Sequence, residues 1–185
     1  MTKPEALQLV REHVKNENLV KHMIAAGAVM RALAGKFEPG QADKWELAGL
    51  LHDIDWEETQ ATPDQHSKYC QEYLETAGVD EKVLKTILVH NHMHGLEPET
   101  LMEKALYSAE ELTGLITACA LVVPSKKLSD VKVKSILKKF KQPSFAAGVD
   151  REIVKKSEEM LGVSLEELTE LELAAMVEVA DELGL

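Results

Sequence analysis

The sequence predicts an all-α protein, a multi-helix bundle of about eight to nine helices with a C-terminal helical extension. Apolar residues recur at three- and four-residue steps in nearly every segment, and no stretch alternates with a period of two. Aromatic residues make up only 4% of the chain. The core must therefore rest on Leu, Val, Ile, Ala and Met, which suits helix-on-helix packing better than a sheet. At 185 residues and 45% hydrophobic content, the chain is long enough for one sizeable core with a small appendage.

Each element follows from local signals. Pro4 to Val14 makes a short charged helix. Asn18 to Phe37 makes a second, with Val20, Met23, Ile24, Val29, Met30 and Leu33 as a broad apolar stripe. Pro39-Gly40 closes it, and Ala42 to Asp53 forms a third. Thr62-Pro63-Asp64 reads as a helix start, with Thr as N-cap and Pro at the first helical position, so a fourth helix is expected to run to Ala77 before Gly78. Asp80 caps a fifth through His92. The longest helix runs from Glu99 to Val122 and stops at Pro124. A shorter one spans Asp130 to Phe140, Asp150 caps the next, and Ser164-Leu165-Glu166-Glu167 reads as a capping box opening the last.

Composition excludes several function classes. A net charge of -11 argues against nucleic-acid binding, which leaves a basic footprint. Cys70 and Cys119 stand far apart and read as reduced buried thiols. The N-terminal segment has no apolar signal-peptide core, and the stretch Leu115 to Val123 is too short to span a bilayer. The expectation is a cytoplasmic protein with no membrane partner.

The residues that carry chemistry are His52 and Asp53, an adjacent pair ending the run Leu47-Ala48-Gly49-Leu50-Leu51. An imidazole nitrogen beside a carboxylate oxygen is a natural ligand pair for a divalent transition metal. Around it, His22 lies on the second helix, His66 on the fourth, His90 near the end of the fifth and Glu110 midway along the longest. Helical bundles build metal sites from such inward-facing side chains on successive helices. Singly, each residue also has an ordinary reading. His22 can sit on a helix edge, His66 in a solvated first turn, His90 against a helix dipole, and Glu110 can face water instead of a flank of Ala105, Leu106, Ala109 and Leu112. The order across five helices is what favours a site.

These segments, LVKHMIAAGAVMRALA, ELAGLLHDIDWE and KALYSAEELTG, resemble the HD-domain superfamily of metal-dependent phosphohydrolases, and small bacterial HD-domain proteins in particular. The resemblance implies an HD-domain-like helical core with metal ligands His22, His52, Asp53, His66, His90 and Glu110, and one or two divalent ions (Mn, Fe, Co, Ni or Mg). By the same resemblance Asp53 would bridge two ions or stand beside His52 on a single one, and Glu110 stands where Asp is usual. Ile54-Asp55-Trp56 lacks the Gly-Lys that follows the pair in the cyclic-dinucleotide phosphodiesterase branch. Asn91 replaces a second His found in some two-metal members.

The implied reaction is hydrolysis of a phosphate ester or anhydride in a small phosphorylated metabolite, a nucleotide by preference. The ion lowers the pKa of a water and polarises a phosphoryl oxygen. Asp53, His90 and Asp55 are assigned the chemistry. Substrate binding is assigned to Lys126 and Lys127, from a stretch with seven lysines and one acid between 124 and 141, and to His94 at the mouth. Residues 1-145 are expected to form the core and 146-185 an acidic helical extension packing on it, with a homodimer contact as its alternative. Two rival functions share the ligand order: a di-iron HD-like oxygenase and a non-catalytic binding module.

Overall fold

The computed structural model describes residues 1–185, and the only regular secondary structure in them is helical. The α-helices are α1 (Lys3–His13), α2 (Glu17–Phe37), α3 (Ala42–Leu51), α4 (Trp56–Thr59), α5 (Gln71–Thr76), α6 (Glu81–His90), α7 (Leu101–Val122), α8 (Val133–Phe140), α9 (Arg151–Leu161), α10 (Leu165–Glu178) and α11 (Ala180–Leu183). Short 3-10 turns cover Pro39–Gln41, His92–His94 and Leu128–Asp130.

Most ends fall where capping chemistry puts them. The Asp80 carboxylate accepts from the Lys82 amide, the Asp150 carboxylate from Glu152 and Ile153, and the Ser164 hydroxyl from Glu167. Thr100 and Glu103 form a full capping box at the start of α7. Each satisfies amides that a helix leaves unpaired at its first turn.

α2 and α3 form the tightest pair. A Cβ built on Gly49 would stand 2.5 Å from the Ala26 carbonyl oxygen and 2.8 Å from the Gly27 nitrogen. Only glycine permits this backbone approach. It carries the end of α3, with His52 and Asp53, up against the first half of α2, with His22.

α7 runs through the middle of the bundle against α2, α6, α8, α9 and α10. By length and composition it matches a membrane-crossing helix, but 61% of its most apolar window is buried. The final helices join the same core: Val154, Leu168, Met176 and Leu183 belong to one cluster with Val29, Leu50 and Leu115. α9 packs on α7, and α10 on α2. Both cysteines are free and buried.

One expected element is not a helix. Residues 60–70 form turns, and only Gln71–Thr76 is helical in the span expected to run from Pro63 to Ala77. Ser67 takes a left-handed backbone (φ 65°). The Ser67 and Cys70 amides donate to the Asp55 carboxylate, at 3.2 and 3.0 Å, instead of to helical carbonyls. A buried carboxylate that must find donors overrides the local helix signal.

Candidate metal centre

Four imidazoles and two carboxylates converge at one end of the α2–α3 pair. His22 comes from α2, His52 and Asp53 from the turn ending α3, His66 from the 60–70 turns, His90 from the last residue of α6 and Glu110 from mid-α7. His22 and His52 approach Nε2 to Nε2 at 3.2 Å, and so do His66 and His90. Asp53 lies between the pairs. Its Oδ2 is 3.6 Å from His22, and its Oδ1 is 3.5, 3.2 and 3.7 Å from His52, His66 and His90. Glu110 Oε2 stands 3.4 Å from His22 and 3.9 Å from His52. Two groups of ligand atoms lie close enough to hold an ion, His22–His52–Asp53 and Asp53–His66–His90, sharing Asp53.

The outer nitrogens settle the tautomers. His52 Nδ1 donates to the Gly49 carbonyl at 2.7 Å, and His90 Nδ1 to the Ile87 carbonyl at 2.5 Å. His66 Nδ1 donates to Asp55 Oδ1 at 2.8 Å. The Thr113 hydroxyl gives its proton to the Glu110 carbonyl (2.6 Å), so it accepts from His22 Nδ1 at 3.2 Å. With every Nδ1 proton engaged outward, each Nε2 lone pair points inward. Two lone pairs facing at 3.2 Å repel unless a cation lies between them, so the residues present fit a divalent ion.

The titration of the cluster fits the same account. Burial pulls His22 down, but the hydrogen bond and charge of Glu110, with Asp53 behind it, raise it to about 9. Burial also opposes His66, which Asp53 and Asp55 raise to about 9. His52, fully buried, is lowered to about 4. Burial pushes Asp53 upward, yet the surrounding histidines hold it well below the usual carboxylate range. Without metal, protons on His22 and His66 fill the role of the cations.

His22, Asp53, His66, His90 and Glu110 line one side of a cavity of about 440 Å³, shared with Trp56, Pro63, Asn91, His92, Met93 and Glu111 among others, and His52 lies buried behind them. No Lys or Arg lines it. Lys126 and Lys127, expected as the phosphate clamp, are exposed past the far end of α7. Twelve residues of helix separate Glu110 from Val122, roughly 18 Å at 1.5 Å per residue. His94 also turns away: its Nε2 meets Ser67 Oγ at 3.0 Å and the His66 carbonyl at 2.9 Å, and it is not on the cavity wall. Asp55 is wholly buried behind His66 and accepts three hydrogen bonds there, so it has no surface to offer a substrate. His90 and Asp53 do line the cavity.

Sequence reasoning missed Trp56, Glu111 and Thr113. Thr113 and Gly114, three and four residues past Glu110, share its helix face, and that spacing was the available signal.

A family model described as HD domain matches residues 19–183. Comparison with curated proteins and with solved structures gives no match.

Proposed function

Because the chain belongs to the HD-domain family, whose members are generally metal-dependent hydrolases, we propose that it hydrolyses a phosphate ester or anhydride of a small metabolite. The observation that carries this reading is the convergence of four inward Nε2 lone pairs on Asp53 at the wall of a cavity that has carboxylates and no Lys or Arg. Such a cavity repels a phosphate unless divalent charge offsets Asp53, Glu110 and Glu111.

His22, His52, Asp53 and Glu110 would hold one ion, and Asp53, His66 and His90 a second. When bound, divalent ions supply positive charge for the phosphoryl oxygens and a water of lowered pKa. The protein's part is orientation. Gly49, Ile87, Thr113 and Asp55 each hold one imidazole with its Nε2 inward. Glu110 is one methylene longer than aspartate and still brings Oε2 within 3.4 Å of His22, which favours a working ligand over a decayed site. Trp56, 36% exposed and edge-on to His66, offers a flat face on which the base of a nucleotide can stack.

The test is metal analysis of the purified protein, then a phosphate-release screen of nucleotides and sugar phosphates with Mn, Fe, Co, Ni and Mg. Bound metal with release from at least one ester is expected. Tightly held iron with oxygen consumption and no release would replace this reading with an oxygenase. Bound metal with neither activity would favour a binding module.

A further inference from the structure

A second cavity, of about 380 Å³, lies against the first and shares His22 and Gly114 with it. It extends the same two helix faces by one turn: Asn18 is four residues before His22 on α2, and Thr117 is four after Thr113 on α7. Leu121, Leu183 and Leu185 provide its apolar side.

Lys21 is the one Lys or Arg that lines either cavity. It sits directly before a metal ligand, is half-buried, and makes no salt bridge or side-chain hydrogen bond. Among the other lysines only Lys3, Lys36, Lys44, Lys85 and Lys155 make salt bridges, so Lys21 is set apart by its place on the cavity wall. Its Nζ lies 3.1 Å from where a Cβ on Gly184 would stand, and Gly184 holds a left-handed backbone (φ 72°). Glycine there leaves the ammonium its place on the wall. A half-buried ammonium with no counter-ion on a cavity wall is free to pair with a bound anion through charge-assisted hydrogen bonds.

We propose that the second cavity is a substrate subsite in which Lys21, with Asn18 and Thr117, binds a second anionic group of the phosphorylated substrate. The substrate class is then a phosphate ester carrying a further phosphate or carboxylate, its first phosphate at the metal centre and its carbon frame over Leu121 and Leu183. This rests on the phosphohydrolase reading, and it places the cationic clamp at Lys21 and not at Lys126 or Lys127.

The experiment compares matched pairs on the manganese-loaded protein by calorimetry: 3-phosphoglycerate with glycerol 3-phosphate, fructose 1,6-bisphosphate with fructose 6-phosphate, and adenosine 3′,5′-bisphosphate with adenosine 5′-monophosphate. Phosphate release is followed in parallel. At least one doubly anionic member is expected to bind about tenfold or more tighter than its partner. Lys21→Met, which keeps the methylene stem, should erase that ratio, and Thr117→Leu, which replaces the hydroxyl with apolar bulk inside the cavity, should reduce it. No advantage in any pair, or an advantage that survives Lys21→Met, overturns the subsite. Absence of phosphate release from every ester, with the ratio intact and sensitive to Lys21, would instead overturn the hydrolase reading and leave the subsite standing.

Discussion

Asp55→Asn should weaken metal binding at one half of the centre and spare the other. The wild-type carboxylate has no exposed surface and accepts three hydrogen bonds, from His66 Nδ1 (2.8 Å) and the Ser67 amide (3.2 Å) on Oδ1, and from the Cys70 amide (3.0 Å) on Oδ2. Asparagine has one acceptor oxygen, so its NH₂ must face either Cys70 or the His66–Ser67 pair. The less costly choice faces Cys70 and strands one buried amide, at about 1–3 kcal/mol. The bond to His66 also loses its charge assistance, roughly another 1 kcal/mol. Folding stability should therefore fall by about 2–4 kcal/mol while the helical circular dichroism persists. His66 would keep its place but lose the carboxylate that fixes its ring and raises its basicity. Loss of such an outer partner typically costs 10–100-fold in metal affinity. That loss should fall on the Asp53–His66–His90 group, with His22–His52–Asp53 changed little. Chelator-competition titration resolves the two affinities. Unchanged affinity at both groups, in a folded variant, would refute the claim that Asp55 acts by orienting His66.

Three further outcomes follow from the same geometry. In metal-free protein the raised pKa values of His22 and His66, both about 9, stabilise the fold fully below the unfolded value near 6.5, and that contribution is lost as pH rises through 9. Thermal melts in chelator should thus fall from pH 6.5 to 9.5, and metal should flatten the trend; a metal-free melt that rises over this window contradicts the assignment. Glu172 is wholly buried in α10 with neither oxygen partnered, and burial pushes its carboxyl well above the usual range. The cost of keeping it there grows as pH rises above its unfolded value. Glu172→Met should therefore stabilise the protein at pH 8 by about 1–3 kcal/mol in denaturant titration, and a loss of stability would reveal an interaction that the carboxyl makes. Gly49→Ala puts a methyl group into the α2 backbone, so stability should drop by about 1–3 kcal/mol and metal affinity should fall with it as His22 and His52 separate. A variant that melts and binds like the wild type would show that the α2–α3 contact tolerates the shift.

What the sequence determined by itself is what local chemistry controls. Helix periodicity and the caps at Asp80, Thr100, Asp150 and Ser164 depend on residues within a turn of each other, and so does the His52-Asp53 pair. The placement of His22, His90 and Glu110 on separate helices was legible for the same reason, because each helix could be read alone, whereas His66 sits in turns and not on the helix expected for it. The tertiary structure decided everything that required two distant segments to meet. The turns at 60–70 override a helix signal because Asp55, from another element, takes their amides. The inward tautomer of His22 comes from Thr113, 91 residues away. A run of lysines is visible in sequence, yet Lys126 and Lys127 end beyond the far end of α7, while Lys21, in no cluster at all, lines the cavity next to the candidate metal centre. Charge density along the chain reports solvation. Which charge faces the site is set by how the helices pack.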